Sequence, residues 1–372
     1  MKVNNFRFAA IDPYVEDYVM QPTETLVTSK DMVEWGTQNV FPNYLQGLFE
    51  EAPTLHSIIE GNVDYTCGDN VQIRPFRSDF RAGQMNLRGD TITEQVSDIS
   101  FDRWKFGGYA LQIIRSLAGD VAEVYYCDLR FLRTNKDCNV FYYCEDWAKK
   151  SHKDVVVYPA FIPNLDWAKL TPEERERHAS SILFVKDTHT SVYPQPPYRA
   201  ALKACEMERM IDDFHVADLS NHFVASAIIN FNNGETDEEI QYQIENDFTE
   251  KFCGVKNGGR FAFSWNPNKE SQTEIHEFEM KDFGDRYKSL ATWVRQQIYT
   301  SFRAIPLLFG LTSDVNTGFS TDEYEQSFKL YARTQIRPVQ RQICDTYDKI
   351  FGQQGVMTIT PFSIDGAEQN VN

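Results

Sequence analysis

Residues 285–352 constrain this chain most, because they spell a long amphipathic helix, a loop broken by Pro and Gly, and a second long helix with a proline inside it. The first helix is predicted to start after Gly284-Asp285, with Asp285 at the N-cap position. Tyr287, Leu290, Val294, Ile298 and Phe302 recur at steps of three or four, which makes a single apolar stripe. The helix is expected to stop at Ile305-Pro306, since proline lacks the amide hydrogen and pushes its predecessor out of helical geometry. Leu311 to Ser320 read as a loop of mostly small polar residues around Gly318. Ser320 or Thr321 caps the second helix, whose first turn carries Asp322, Glu323 and Glu325 at its positive end. Phe328, Tyr331, Ile336, Ile343, Tyr347 and Ile350 carry it on to Gly352. Pro338 is expected to kink it rather than end it, because the apolar pattern resumes at once. Taken alone, this pattern fits a plain structural arm as well as a working part.

The 372 residues suffice for two or three modules, or for one elongated subunit with several lobes. Apolar residues make up 42% of the chain, so a large core is available and the sequence is not of the disordered class. No apolar run reaches the roughly 18 residues of a membrane span, and Met1-Lys2-Val3-Asn4-Asn5 lacks a hydrophobic signal core. The expectation is a chain that neither spans a membrane nor is secreted. A formal net charge of −17 repels phosphates and disfavours tight nonspecific binding to DNA, while leaving DNA free to slide past an acidic wall. Seven scattered cysteines without a C-x-x-C pair argue against a disulfide framework or structural zinc, and read as reduced, mostly buried thiols.

In chain order, residues 1–30 suggest an extended or peripheral arm. A helix carrying Tyr44, Leu45, Leu48 and Phe49 follows, then one that begins at Pro53, buries Leu55, Ile58, Ile59 and Val63, and tolerates Gly61. Val71 to Pro75 suggest a short strand, and residues 91–106 another amphipathic helix that Gly107-Gly108 breaks. Tyr109–Arg115 and Val121–Cys127 read as a hairpin, with further strands at Val140–Tyr143, Val155–Tyr158 and Ile182–Val185. The half from 31 to 190 is therefore α+β, helices first and then an antiparallel sheet. Tyr193-Pro194-Gln195-Pro196-Pro197-Tyr198 reads as a module boundary. A helix from Arg199 to Phe223 is expected next, then an insert. The insert comprises a strand (Ala225–Phe231), an Asn232-Asn233-Gly234 turn, a helix (Asp237–Phe252), a Gly254–Gly259 loop and a strand (Arg260–Trp265). Residues 273–280 suggest another strand, and Met357–Thr360 a last one.

Chemistry-bearing patterns are sparse. His215, Asp218 and His222 share one helix face and could offer two imidazoles and a carboxylate to a metal, yet the same helix is acidic throughout and reads equally as a polar stripe. Cys138, Cys144 and His152 are loosely spaced for a metal site. Asn257-Gly258-Gly259-Arg260 lacks the residues of a P-loop or dinucleotide turn and reads as a tight turn. Lys329, Arg333, Arg337 and Arg341 step by four along the kinked helix, either as a solvated or intersubunit salt-bridging face or as a basic stripe toward passing DNA. No set of hydrolase, metalloprotease or kinase residues is present, and no cofactor is implied.

Taken together, these stretches resemble a portal protein of tailed double-stranded DNA bacteriophages. The resemblance runs from about Trp35 to about Phe351, on motifs that are individually loose but fall in the family's order. They are Trp35-Gly36 to Phe41-Pro42, His56 to Asn62, Phe106-Gly107-Gly108-Tyr109-Ala110-Leu111-Gln112-Ile113, the Tyr193–Tyr198 hinge, Phe302 to Gly310, Ser320-Thr321-Asp322-Glu323 and Ile336-Arg337-Pro338-Val339-Gln340. It implies a ring of about twelve copies around a DNA channel. It also implies an elongated α+β subunit: an arm at 1–30, an α/β wing at 31–198, stem helices at 199–223 and 282–305, and a small α/β clip at 224–281. A tunnel loop at 306–321, a kinked helix at 322–352 returning to the wing, and a short C-terminal strand and tail at 353–372 complete it, with a minimal crown.

By the same resemblance Thr312, Ser313, Asp314, Val315, Asn316, Thr317, Gly318, Phe319 and Ser320 line the channel. Phe231, Asn232, Asn233, Gly234, Lys256, Asn257, Gly258 and Arg260 belong to the clip, where a terminase motor and a head-tail adaptor would dock. Major capsid and scaffold proteins are the other implied partners, with the virion as final location and the host cytoplasm as the place of assembly. Two other expectations stay open: a different head-tail connector ring, and a metal-dependent enzyme built on His215, Asp218 and His222.

Overall fold

The structure, a computed structural model, describes residues 23–27, 31–147, 155–187, 190–221, 227–231, 261–265, 283–310 and 321–363. Two compact units divide the chain, one of 1–206 with 294–372 and one of 207–293.

In the first unit, local sequence signals start and stop the helices. α1 (Phe41–Glu51) and α2 (Pro53–Cys67) each carry proline in the first turn, where a missing amide hydrogen costs nothing. α3 (Ile92–Phe106) opens on a capping box in which Thr91 and Glu94 satisfy each other's backbone amides. It closes at Gly107, whose φ of 86° is left-handed. A Cβ there would lie 1.9 Å from the carbonyl oxygen of Gln195, so only glycine fits.

Short strands supply the rest of this unit. In chain order they are β1 (Glu24–Val27), β2 (Met32–Trp35), β3 (Asn70–Ile73), β4 (Gly108–Arg115), β5 (Val121–Cys127), β6 (Leu132–Thr134), β7 (Val140–Tyr143), β8 (Val156–Pro159) and β9 (Ser180–Lys186). α4 (Pro172–His178) sits between β8 and β9, and α5 (Leu202–Asn221) follows β9. The expected single antiparallel sheet is two: a three-stranded sheet β5-β4-β9 and a five-stranded sheet β1-β2-β6-β7-β8. β1, β2 and β6 run four, four and three residues, too short for alternation to show in the sequence. Part of the expected arm is therefore a strand of the larger sheet.

The proline-rich hinge is corrected more sharply. Tyr193 and Tyr198 are fully buried, and the compact unit runs on to Glu206. Tyr193 stacks on Trp35 with ring centroids 4.6 Å apart. Its hydroxyl donates to the carbonyl of Val33 in β2 and accepts from the amide of Thr134 in β6, at 3.0 Å. The prolines fix the backbone around two aromatic anchors and separate nothing.

In the second unit, β10 (Ala227–Phe231) pairs in parallel with β11 (Phe261–Trp265), a pairing that needs a crossover connection. The expected helix at 237–252, the loop at 254–259 and the strand at 273–280 lie outside the described residues. α6 (Phe283–Phe302) starts before Asp285, which lies inside its first turn instead of capping it. It also ends before Ile305-Pro306. Arg303 takes a left-handed φ of 53°, its amide bonds to Thr300 and that of Ala304 to Tyr299, a Schellman ending with arginine in the usual glycine position.

α7 (Thr321–Tyr331), a π-helical turn (Ala332–Ile336) and α8 (Arg337–Phe351) form the last long helix, and β12 (Met357–Thr360) pairs antiparallel with β3. Side-chain hydrogen bonds bolt that helix to α2 and α3. Tyr331 donates to Asn62 at 2.7 Å, Gln340 to the carbonyls of Tyr65 and Thr66 at 3.2 and 3.1 Å, and Tyr347 to Gln95 at 3.0 Å. Among the described residues no helix is long and apolar enough to cross a membrane.

Two buried groups give tests of this core. Replacing Tyr193 by Phe keeps the stack on Trp35 and strands the Val33 carbonyl and Thr134 amide, so urea unfolding should show a loss of about 1–3 kcal/mol. A loss below about 0.5 kcal/mol would mean the hydroxyl does not splice β2 to β6. Asp102 on α3 is 1% exposed, and burial, reinforced by Asp128, pushes its carboxyl up to about 8. Because the folded value lies above the ordinary 3.8, this group's stabilising share is complete below that pH and fades as pH rises toward 8. Asp102→Asn should therefore gain on the wild type as pH is raised through that window; parallel stability profiles would refute it.

Candidate functional site

The ten residues 311–320, which include every predicted channel-lining position from Thr312 to Ser320, lie outside the described residues. What the structure does describe is how both ends of that segment are held. On the near side, Pro306–Phe309 form a short 3-10 turn that closes at Gly310. The Tyr65 hydroxyl donates to the Leu308 carbonyl at 2.8 Å and the Ser57 hydroxyl to the Phe309 carbonyl at 3.3 Å. The Phe309 ring sits edge-on to Tyr65 and Tyr331, at 6.0 and 5.6 Å between centroids. It also presses on Gly61 of α2: a Cβ there would lie 2.8 Å from the ring. A side chain at Gly61 would force that ring to shift, where the sequence suggested only that a helix could tolerate glycine.

On the far side, α7 begins at Thr321 with Asp322 and Glu323 in its first turn. Phe328 and Tyr331 are buried, and Phe328 meets Tyr65 at 5.2 Å between centroids. Both ends of the ten-residue segment thus converge on Tyr65, a single residue of α2.

The proline in the long helix is accommodated by the π-helical turn. An α-helix would set the Pro338 ring against the carbonyl of Thr334 and lose that hydrogen bond. One extra residue in the turn opens the ladder ahead of the proline. The Thr334 hydroxyl donates back to the Leu330 carbonyl at 2.9 Å.

The four basic residues are all exposed, opposite the buried face of Tyr331, Ile336, Val339, Ile343 and Tyr347. They do not form one uniform stripe. Lys329 pairs with Glu325 at 3.0 Å, and with Arg337 it borders a cavity of about 340 Å³ walled by Tyr65, Phe328 and Phe362. Arg341 borders a separate cleft of about 510 Å³ beside Pro338, with Lys186, Asp345 and Lys349. Among the described residues no carboxylate pairs with Arg333, Arg337 or Arg341. A third cleft of about 410 Å³ runs past the π-helical turn, where Thr334, Gln335 and Pro338 face the Arg103–Asp187 ion pair.

Of the clip positions, Phe231 ends β10, while Asn232, Asn233, Gly234, Lys256, Asn257, Gly258 and Arg260 lie outside the described residues. His215 packs its ring against Tyr287 at 5.4 Å between centroids, and neither the Asp218 side chain nor His222 is described. Cys144 donates its thiol to the Asp146 carbonyl and Cys138 to that of Val192, so both act as packed polar groups; His152 is outside the described residues. Among the described residues no cluster of His, Cys, Asp and Glu could hold a metal ion.

A chain in the virion of a native gene transfer agent particle aligns over 88% of this chain and 84% of its own length, at 13% identity and a TM-score of 0.52. The fold is one found in a gene transfer agent particle. A chain from the neck of the native particle, computed with C12 symmetry, aligns over 88% of this chain and 86% of that one, at 14% identity and a TM-score of 0.53. An HK97-family phage portal protein from Corynebacterium diphtheriae covers 80% of this chain and 87% of its own at 12% identity, with a TM-score of 0.46. No protein-family model and no curated protein matches the sequence.

The contact between Gly61 and Phe309 makes the loop anchor testable. Alanine is the better helix former by about 1 kcal/mol, so Gly61→Ala on an unencumbered helix would stabilise. Overpacking against the Phe309 ring costs about 1–3 kcal/mol and should win. The expected outcome is net destabilisation, with faster amide exchange at Leu308 and Phe309; a stabilised variant would show that the ring is free to move aside.

Proposed function

We propose that this chain is a portal subunit. Copies of it form a ring at one capsid vertex, and genomic DNA is packaged and ejected through the channel. The observation that carries this reading is a fold shared over 88% of the chain with a chain from a particle neck computed with C12 symmetry. The succession of α5, the β10–β11 pair, α6 and the proline-bearing α7–α8 helix supports it.

On this reading the ring has about twelve copies. Residues 312–320 face the channel at its narrowest, held at both ends on Tyr65. A net charge of −17 per chain keeps phosphates from adhering, so that a separate motor can drive the duplex past. Unit 207–293 carries the clip, where a terminase and a head-tail adaptor dock, and capsid and scaffold proteins surround the ring in the virion. Arg333, Arg337 and Arg341 then meet either DNA or a neighbouring subunit.

Negative-stain imaging with native mass determination of the purified chain tests the proposal. Closed rings of about a dozen copies with a central hole are expected. A monomer or dimer carrying stoichiometric metal would overturn it in favour of an enzyme built on His215, Asp218 and His222.

A further inference from the structure

The last long helix and the helix it packs on carry opposite charge. Residues 329–349 hold five cations, Lys329, Arg333, Arg337, Arg341 and Lys349, against the carboxylates of Asp345 and Asp348. Asp348 is spent within its own chain, accepting the Gly355 and Val356 amides at 2.8 Å each. Residues 41–67, which span α1 and α2, hold Glu50, Glu51, Glu60 and Asp64 and no lysine or arginine.

Packing turns these charges to opposite sides. On α8 Val339, Ile343, Tyr347 and Ile350 are buried, while Arg337, Arg341, Asp345 and Lys349 are exposed on the other face. Tyr331, at the end of α7, reaches Asn62, which marks the side of α2 that meets the long helix. Successive residues turn about 100° around a helix, so Glu60 and Asp64 each stand about 160° from Asn62. Both are exposed. The long helix therefore shows cations on its outer face, and α2 shows carboxylates on the side turned away from that helix.

Neither set is neutralised within the subunit. Among the described residues no carboxylate pairs with Arg333, Arg337, Arg341 or Lys349, no base pairs with Asp64, and Glu60 reaches only the His56 imidazole, at 3.1 Å. Burial, and then the Glu60 carboxylate, raises the Asp64 pKa, and no cation draws it back. The arginines also border recesses, Arg337 the cavity beside Phe362, and Arg341 the cleft beside β9. A carboxylate side chain can enter such a recess, whereas a DNA duplex touches only the rim.

We infer that the outer face of α8 in one subunit docks on the Glu60–Asp64 side of α2 in the next copy of the chain. This rests on the ring reading above, names a surface that holds the ring together, and gives Arg337 and Arg341 to protein and not to DNA. Because the two faces lie on opposite sides of one pair of helix layers, the contact is head-to-tail, and rotation repeats it until a ring closes. A two-fold axis through either face would set like charge against like.

Charge reversal tests the contact. Arg337→Glu with Arg341→Glu reverses one face, and Glu60→Lys with Asp64→Lys reverses the other, all at exposed positions. Ring assembly is followed by native mass spectrometry and imaging, with circular dichroism to confirm folding. Each reversed variant should need at least about tenfold more protein than the wild type to form rings. An equimolar mixture of the two should restore rings in which the variants alternate, because every joint again sets opposite charges together. If the doubly substituted α2 variant fails to fold, Asp64→Lys alone takes its place. Folded variants that form rings as readily as the wild type overturn the contact and leave the ring reading standing. Impaired assembly that the mixture does not restore overturns the pairing of these two faces. A wild-type chain that makes no ring at any concentration overturns both readings.

Discussion

The stack of Tyr193 on Trp35 is the contact on which the larger sheet depends. Trp35 ends β2 and is completely buried, meeting Phe41 of α1 and Phe106 of α3 as well as Tyr193. Beneath it lies Arg133, 1% exposed. That guanidinium donates to the Asn39 side chain at 3.0 Å, to the Asn39 carbonyl at 2.6 Å and to the Leu132 carbonyl at 2.6 Å, and it lies 5.1 Å from the centre of the Trp147 ring. Burial lowers its pKa to about 10, so it stays charged at neutral pH. A buried charge held by carbonyls and aromatic faces, with no carboxylate among the described residues contacting it, is costly unless every donor is met. The hinge, the loop around Asn39 and β6 are therefore locked together: displacing any one leaves Arg133 or the Tyr193 hydroxyl short of partners.

The sequence disclosed elements whose signal is local and hid those whose cause is distant. Helices with a cap at one end and glycine at the other, such as α3 between Thr91 and Gly107, were legible because cap, stripe and stop all lie within the element. So was β12, a four-residue run next to a Gly-rich turn. β1, β2 and β6 were hidden because no turn signal beside them marks so short a run, and what ties them together is Tyr193, some 60 or more residues away in sequence. The same distance explains the misplaced boundary. Pro194, Pro196 and Pro197 are strong local breakers, and only the burial of the flanking tyrosines shows that the break lies inside a core. In the candidate site, the basic residues and Pro338 were visible by spacing. The separation of Lys329 and Arg337 from Arg341 was not, because it follows from which clefts α2 and β9 leave beside the long helix.

The long helix reconciles two demands that a plain α-helix could not meet. Its buried face must stay in register with α2 and α3 over its whole length, since Tyr331, Gln340 and Tyr347 each reach a specific partner there. Pro338 interrupts the ladder between the first and second of these. A break would lose the downstream register, and an unrelieved proline costs roughly 3 kcal/mol in a helix interior. The π-helical turn absorbs the clash while the helix runs on, and the hydroxyl of Thr334 donates back to the Leu330 carbonyl. The turn also lines the cleft beside the Arg103–Asp187 pair.

The two described ends that flank residues 311–320 meet at one residue of the core, Tyr65. Phe309 and Phe328 both press on Tyr65, so the two ends of residues 311–320 cannot drift apart without unpacking an aromatic cluster in the core. The π-helical turn begins one residue beyond Tyr331, between that cluster and the hydrogen bond that ties α8 to α3, and the missing amide hydrogen of Pro338 fixes where its extra residue sits.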